Sequence, residues 1–226
     1  NEYTKNNQIY FSHFQYNFNR FFKLILMAVY YTILPIESVI YKDKSSKFIG
    51  FAFAITDESE LKNKLLYVHN LHPKATHHCY AYRLGLDKNN YRTNDDGEPN
   101  GTAGKPILGQ IDSFNITNTL VIAVRYFGGI KLGVSGLITA YKECARLTLQ
   151  STIIVEHKLM VFYQITCCYE SINKVYKICH AASATIVEQQ LNSQSTFIIN
   201  IEQTHSVLFE KQLMEAQLEY RFIEIK

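Results

Sequence analysis

The sequence predicts an α+β protein of two domains: a sheet covered by helices over residues 27–152, then a βαββαβ unit over residues 153–226. Three observations carry that prediction. The chain has 226 residues, enough for two cores of ordinary size. Its apolar residues switch repeatedly between a period of two and a helical period. After Gln150-Ser151 the pattern stops and begins again in a more regular order. With 47% hydrophobic and 19% charged residues, the composition excludes a disordered chain.

Ala28 to Leu34 reads as a strand. In Lys47 to Ile55, Phe48, Gly50, Ala52 and Ala54 alternate with Ile49, Phe51, Phe53 and Ile55, which gives a second strand filled on both faces. Thr56-Asp57-Glu58 offers a helix cap, and Leu61, Leu65, Val68 and Leu71 form a helical stripe that stops at Pro73. His78 to Leu84 is a third strand, Asp87 to Pro106 a loop, and Gly109 to Asn115 a helix or turn. Thr119 to Phe127 is a β-branched fourth strand. Gly133 to Leu149 closes the domain as a helix whose apolar face carries Leu137, Ile138, Tyr141, Cys144, Ala145 and Thr148. Helices covering one face of a sheet make a two-layer α/β sandwich.

The second unit starts with Leu159 to Cys168, an alternating strand, and Ile172, Val175, Tyr176 and Cys179 then share one helical stripe. Thr185 to Leu191 and Thr196 to Ile201 are strands around the turn Asn192-Ser193. Val207, Phe209, Leu213 and Ala216 suit a helix, and Tyr220 to Ile225 is the last strand. That order is the ferredoxin-like unit. The boundary is expected near residues 150–157.

A formal charge of +3 does not announce a nucleic-acid binder by itself, so such a role needs local clustering. Cys79, Cys144, Cys167, Cys168 and Cys179 form neither a C-x-x-C pair nor a regular framework, and their number is odd. Buried thiols in a reducing compartment are the expectation. Asn1 to Leu26 is rich in Asn, Phe, Tyr and Lys and follows no clean period. The apolar run Leu24 to Leu34 is too short to span a bilayer, which needs about 20 residues, and no cleavage site of the A-x-A kind follows it. Residues 1–26 are therefore read as upstream sequence that packs on nothing, with Met27 as the natural start and a cytoplasmic, non-membrane protein as the result.

The chemistry concentrates in two segments, Asn94 to Pro106 and Arg125 to Gly136, which together hold seven of the chain's ten glycines. A strand running into Gly128-Gly129 and then into a helix near Gly133 leaves backbone amides that suit an anion. Arg125 and Lys131 add full charge, Lys105 is a second source of it, and His78 or Tyr82 lies beside them. The alternative is a tight turn that packs strand against helix. The segment fails the named nucleotide fingerprints: it lacks G-x-G-x-x-G, and Gly104-Lys105 is followed by Pro106 where a P-loop needs Ser or Thr.

Asp95, Asp96 and Glu98 read most simply as a turn whose acids pair with Arg125, Lys105 or Lys131. A metal could use one of His77 and His78 with these acids, but adjacent strand residues point to opposite faces. No metal, cofactor or catalytic residue is assigned. Lys42, Lys44 and Lys47 form a short basic run, and with Arg83, Arg92, Lys105 and Lys131 they could complete a patch. Tyr80, Tyr82, Tyr91, Tyr126 and Phe127 supply rings for unpaired bases.

Lys47-Phe48-Ile49-Gly50, His72 to Cys79, Asp95-Asp96-Gly97-Glu98-Pro99 with Gly101 to Pro106, and Val124 to Gly129 with Leu132-Gly133 and Gly136-Leu137 resemble the IMPACT family, in its bacterial YigZ-type branch. The resemblance implies a ribosomal protein S5 domain 2-like first domain and a ferredoxin-like second one, a pair similar to the last two domains of translation elongation factor G. It also implies contact with RNA or the ribosome and a role in translation regulation. An enzyme acting on a small phosphorylated or nucleotide substrate, and a protein-interaction module, remain the alternative readings.

Overall fold

A computed structural model describes residues 28–226 apart from Lys88. The reading of Asn1 to Leu26 as an upstream extension, with Met27 as the start, lies outside the described residues. The chain divides into two compact units, one of Tyr30–His157 and one that holds Lys158–Lys226.

In the first unit, β1 (Val29–Ile33) pairs with β7 (Ile154–Lys158) as a two-stranded ribbon. Five further strands, β2 (Ile36–Asp43), β3 (Ser46–Ala54), β4 (His77–Leu84), β5 (Asn90–Asn94) and β6 (Thr119–Tyr126), make one antiparallel sheet in the order β2-β3-β6-β4-β5. Three helices join it: α1 (Glu58–Leu71), α2 (Gly104–Ser113) and α3 (Gly133–Gln150). Asp57 caps α1 by accepting from the amides of Ser59 and Glu60.

Strand alternation sorts the side chains into two cores. Phe48, Ala52, Cys79, Ala81, Val121 and Ala123 face α2 and α3, where they meet Ile107, Ile111, Tyr141 and Cys144. Ile49, Phe51, Phe53, Tyr82, Leu120, Ile122 and Val124 face the other way and meet Leu61 and Val68 of α1. The two-layer reading accounts for α2 and α3; α1 adds cover to the second face. Each fully buried ring in these layers contributes about 1.5–3 kcal/mol relative to exposure.

The second unit is β8 (Met160–Cys168), a 3-10 turn at Tyr169–Ser171, α4 (Ile172–Ala181), β9 (Thr185–Gln190), β10 (Gln194–Glu202), α5 (Gln203–Glu215) and β11 (Glu219–Ile225). Its sheet runs β11-β8-β10-β9, all antiparallel. Val161, Tyr163, Ile165, Phe197, Ile199 and Ile201 form one face, buried against Val175, Cys179, Phe209 and Leu213. This is the ferredoxin-like βαββαβ arrangement expected from the pattern.

Several local expectations change. β2 was not anticipated, because its register shifts between Ile36 and Val39 where Ser38 takes a positive φ of 62°, and the shift erases the period-two signal. β5 lies inside the expected loop, a polar edge strand with no apolar alternation to reveal it. α2 begins at Gly104 and not at Gly109; Pro106 is tolerated because it sits in the first turn, where its missing N–H has no intrahelical use. β7 was likewise unexpected. Val207 is exposed, not part of the α5 core. Cys168 is exposed too, since it ends β8 on the face opposite Cys167.

Candidate functional site

The Asp95–Glu98 turn is built from its acids inward. The Asp95 carboxylate accepts from the amides of Gly101 (2.8 Å), Ala103 (2.9 Å) and Gly104 (2.8 Å), so it satisfies the free donors at the start of α2. Burial pushes its pKa up, but these three donors, with Lys105 nearby, outweigh it and hold the group below the usual aspartate value. Asp96 uses its side chain to accept from the His78 amide (2.6 Å), and its carbonyl oxygen lies 2.7 Å from His77 Nδ1. Two of the three acids therefore shape backbone.

Glu98 is the centre of a buried network. Arg125 donates to Glu98 Oε1 at 2.6 Å through NH1 and to Ser46 Oγ at 3.1 Å through NH2. The Tyr141 hydroxyl donates to the same Glu98 oxygen at 2.7 Å. Cys79 Sγ lies 3.3 Å from that hydroxyl and 3.0 Å from the Asp95 carbonyl oxygen. Burial pushes the Cys79 thiol and the Tyr141 phenol upward, so both stay protonated at neutral pH. The network ties together five segments: β3, β4, the Asp95–Glu98 turn, β6 and α3.

Arg125 is 4% exposed, with its guanidinium carbon 5.5 Å from the ring centroid of Phe48 and 5.5 Å from that of Phe127. The expectation that it reaches phosphate directly is corrected by this placement: its charge is used inside the domain, by Glu98. His78 and Tyr82 also leave the expected cluster, because both lie on the α1 face of the sheet while Arg125 lies on the other. Tyr82 is core. The His78 ring lies tilted against that of His69 with centroids 4.8 Å apart, and its Nε2 is 3.1 Å from the His72 carbonyl oxygen; burial, then His69, lowers its pKa.

Gly129, Lys131, Gly133 and Lys105 reach the surface. Gly129, Lys131 and Gly133 are exposed, and the two glycines have φ of +87° and +75°. Gly128 is packed under the β2–β3 turn: a Cβ there would stand 1.8 Å from the Ser45 carbonyl oxygen. Only glycine lets these two loops meet so closely. In the same region Lys47 pairs with Tyr126 in the β3–β6 ladder, and Lys44 occupies the turn. Lys105 is exposed on the first turn of α2, beside Gly101. Among the described residues no group of three or more His, Cys, Asp and Glu side chains is placed to hold a metal ion.

Ser46, Tyr141 and Ser45 were missed as partners. Tyr141 sits on the apolar face of α3 at helical spacing, which marks core but not the hydrogen bond its hydroxyl makes. Ser45 and Ser46 carry no local signal at all; their partners lie 79 or more residues away in the case of the Ser46–Arg125 bond.

Sheet, capped glycine loop and ferredoxin-like unit together define a two-domain α+β protein whose first domain matches the Impact N-terminal domain over residues 44–149. The chain is 32% identical over 174 residues to IMPACT family member YvyE of Bacillus subtilis (strain 168), covering 77% of this chain and 75% of that protein. It is 30% identical over 196 residues to an IMPACT family member of Haemophilus influenzae, covering 84% and 93%. YigZ of Escherichia coli (strain K12) is 34% identical over 141 residues, covering 61% and 69%. A crystal structure of a hypothetical protein aligns with a TM-score of 0.69 at 26% identity, covering 88% of this chain and 98% of that one. The chain belongs to the IMPACT family.

Proposed function

We propose that this protein is a non-catalytic, cytoplasmic binder of RNA that works on the ribosome or another part of the translation apparatus. The observation that carries the reading is the contact of Ser45 with Gly128. It brings the β2–β3 turn, with Lys44, against the loop that carries Gly129 and Lys131. The same loop opens α3, whose N-cap Leu132 offers no side-chain acceptor to the first-turn amides. Ammonium groups around free helix-start donors favour a polyanion. Arg125 supports the site from beneath, by holding the loop and not by meeting phosphate.

Cosedimentation with ribosomes at low and moderate salt tests the proposal. Log affinity is expected to fall linearly with log salt, by roughly 0.7 per phosphate contact on a single strand. Lys44→Ala combined with Lys131→Ala is expected to flatten that slope by about 1.4 for two lost contacts, with little change in melting temperature. Binding that ignores both salt and these lysines would overturn the proposal and favour a protein partner.

A further inference from the structure

We infer that this surface takes an unpaired nucleotide, stacked on the outer face of Phe127, and so selects single-stranded RNA over duplex; the inference rests on the RNA reading above. Phe127 is 46% exposed at the point where β6 leaves the sheet. A large ring held in water at that level is a place where something apolar and flat can gain by covering it.

Its geometry is fixed from behind. The Phe127 amide donates to Thr76 Oγ1 at 3.2 Å, which holds the backbone where the strand ends. The Arg125 guanidinium lies over the ring at 5.5 Å, and that guanidinium is itself pinned by Glu98 and Ser46 and packed on Phe48. One side of the ring is thus backed by an immobile cation. A platform already fixed in place loses little side-chain freedom when a base settles on it.

The charges stand where a strand's backbone would run. Lys131 follows the ring by four residues, and Lys44 adjoins Ser45 over Gly128. A base on Phe127 would place its flanking phosphates toward these cations. In a duplex the π-faces of the bases already cover one another, so only an unpaired base can offer a free face.

The chain contains no Trp, so Phe127→Trp in the whole 226-residue chain gives a fluorophore at this one position. The probes are an oligoadenylate of about 12 nucleotides and the same strand annealed to its complement, matched to a site of the size that single-strand binders use. Quenching of the Trp by the single strand, but not by the duplex, is the expected result. Phe127→Leu is expected to weaken single-strand binding between about 5-fold and 150-fold, leaving the salt slope and the duplex affinity unchanged. Should Phe127→Leu lower the melting temperature markedly, the Trp variant decides. Salt-sensitive RNA binding with an unquenched Trp, or equal affinity for the two probes, would overturn the stacking inference and leave the RNA reading standing. Binding of neither probe by the unaltered protein, while ribosome cosedimentation also fails, would overturn both.

Discussion

Arg125 NH1 lies 2.6 Å from Glu98 Oε1, and both side chains are buried. The pair joins the end of β6 to a loop 27 residues upstream, and Tyr141 brings α3 to the same carboxylate oxygen. Such a pair gains little over apolar packing, but losing one partner strands the other charge in a low-dielectric interior.

Glu98→Ala and Arg125→Ala are each expected to cost about 3–5 kcal/mol. The double variant should cost clearly less than the sum, since neither charge is then left alone. Urea unfolding of all four proteins measures the coupling; strict additivity would show that the pair does not interact. Arg125→Ala is consequently no clean probe of phosphate contact, because the loop that carries Lys131 is expected to loosen with it.

Asp95 should appear in the acid limb of stability. Its folded pKa is lowered, chiefly by backbone donors acting against burial. Its contribution is therefore complete above the unfolded pKa of about 3.9 and is lost as pH falls through the folded value. Asp95→Asn should lower stability at neutral pH by about 1–2 kcal/mol, the range of a lost helix cap. It should also flatten the fall of the urea midpoint between neutral pH and pH 2; an unchanged acid limb would remove Asp95 from that role.

Gly128→Ala should destabilise by about 1–3 kcal/mol, because the new Cβ meets backbone and cannot be relieved by a side-chain rotation. The nearest atoms are Ser45 O at 1.8 Å and Ser45 C at 2.0 Å. The same change should separate Lys44 from the Lys131 loop and reduce salt-sensitive RNA binding. Gly129→Ala is the control: its Cβ meets nothing within 4 Å, so its cost is confined to the positive φ and the contact between the loops survives. Thermal melts and filter binding on both variants separate the two effects.

Much of the fold was legible in residue alternation. Phe48, Gly50 and Ala52 on one side of β3, with Ile49, Phe51 and Phe53 on the other, announced a strand buried on both faces, and the structure places a core on each. Besides β7, the elements that escaped are those with weak or interrupted periods: β5, polar at a sheet edge, and β2, shifted at Ser38. The start of α2 escaped for another reason. Its cap comes from Asp95, nine residues before Gly104, and not from the residue adjoining the helix.

The candidate site was legible as a place, less so in its roles. Gly129, Gly133 and Lys131 stand at the surface, whereas Gly128 is packed under Ser45 and Arg125 is enclosed. A signal for that was present: Arg125 shares strand parity with Val121 and Ala123, both buried under α2 and α3. By itself the sequence determined which faces of the strongly periodic elements are apolar and the order in which those elements follow one another, because these follow from neighbouring residues and backbone preference. Only the tertiary structure decided which charges are used internally and which remain for a ligand. Glu98 with Arg125, and Ser45 against Gly128, are brought together by sheet pairing across tens of residues, and no local period records such a distance.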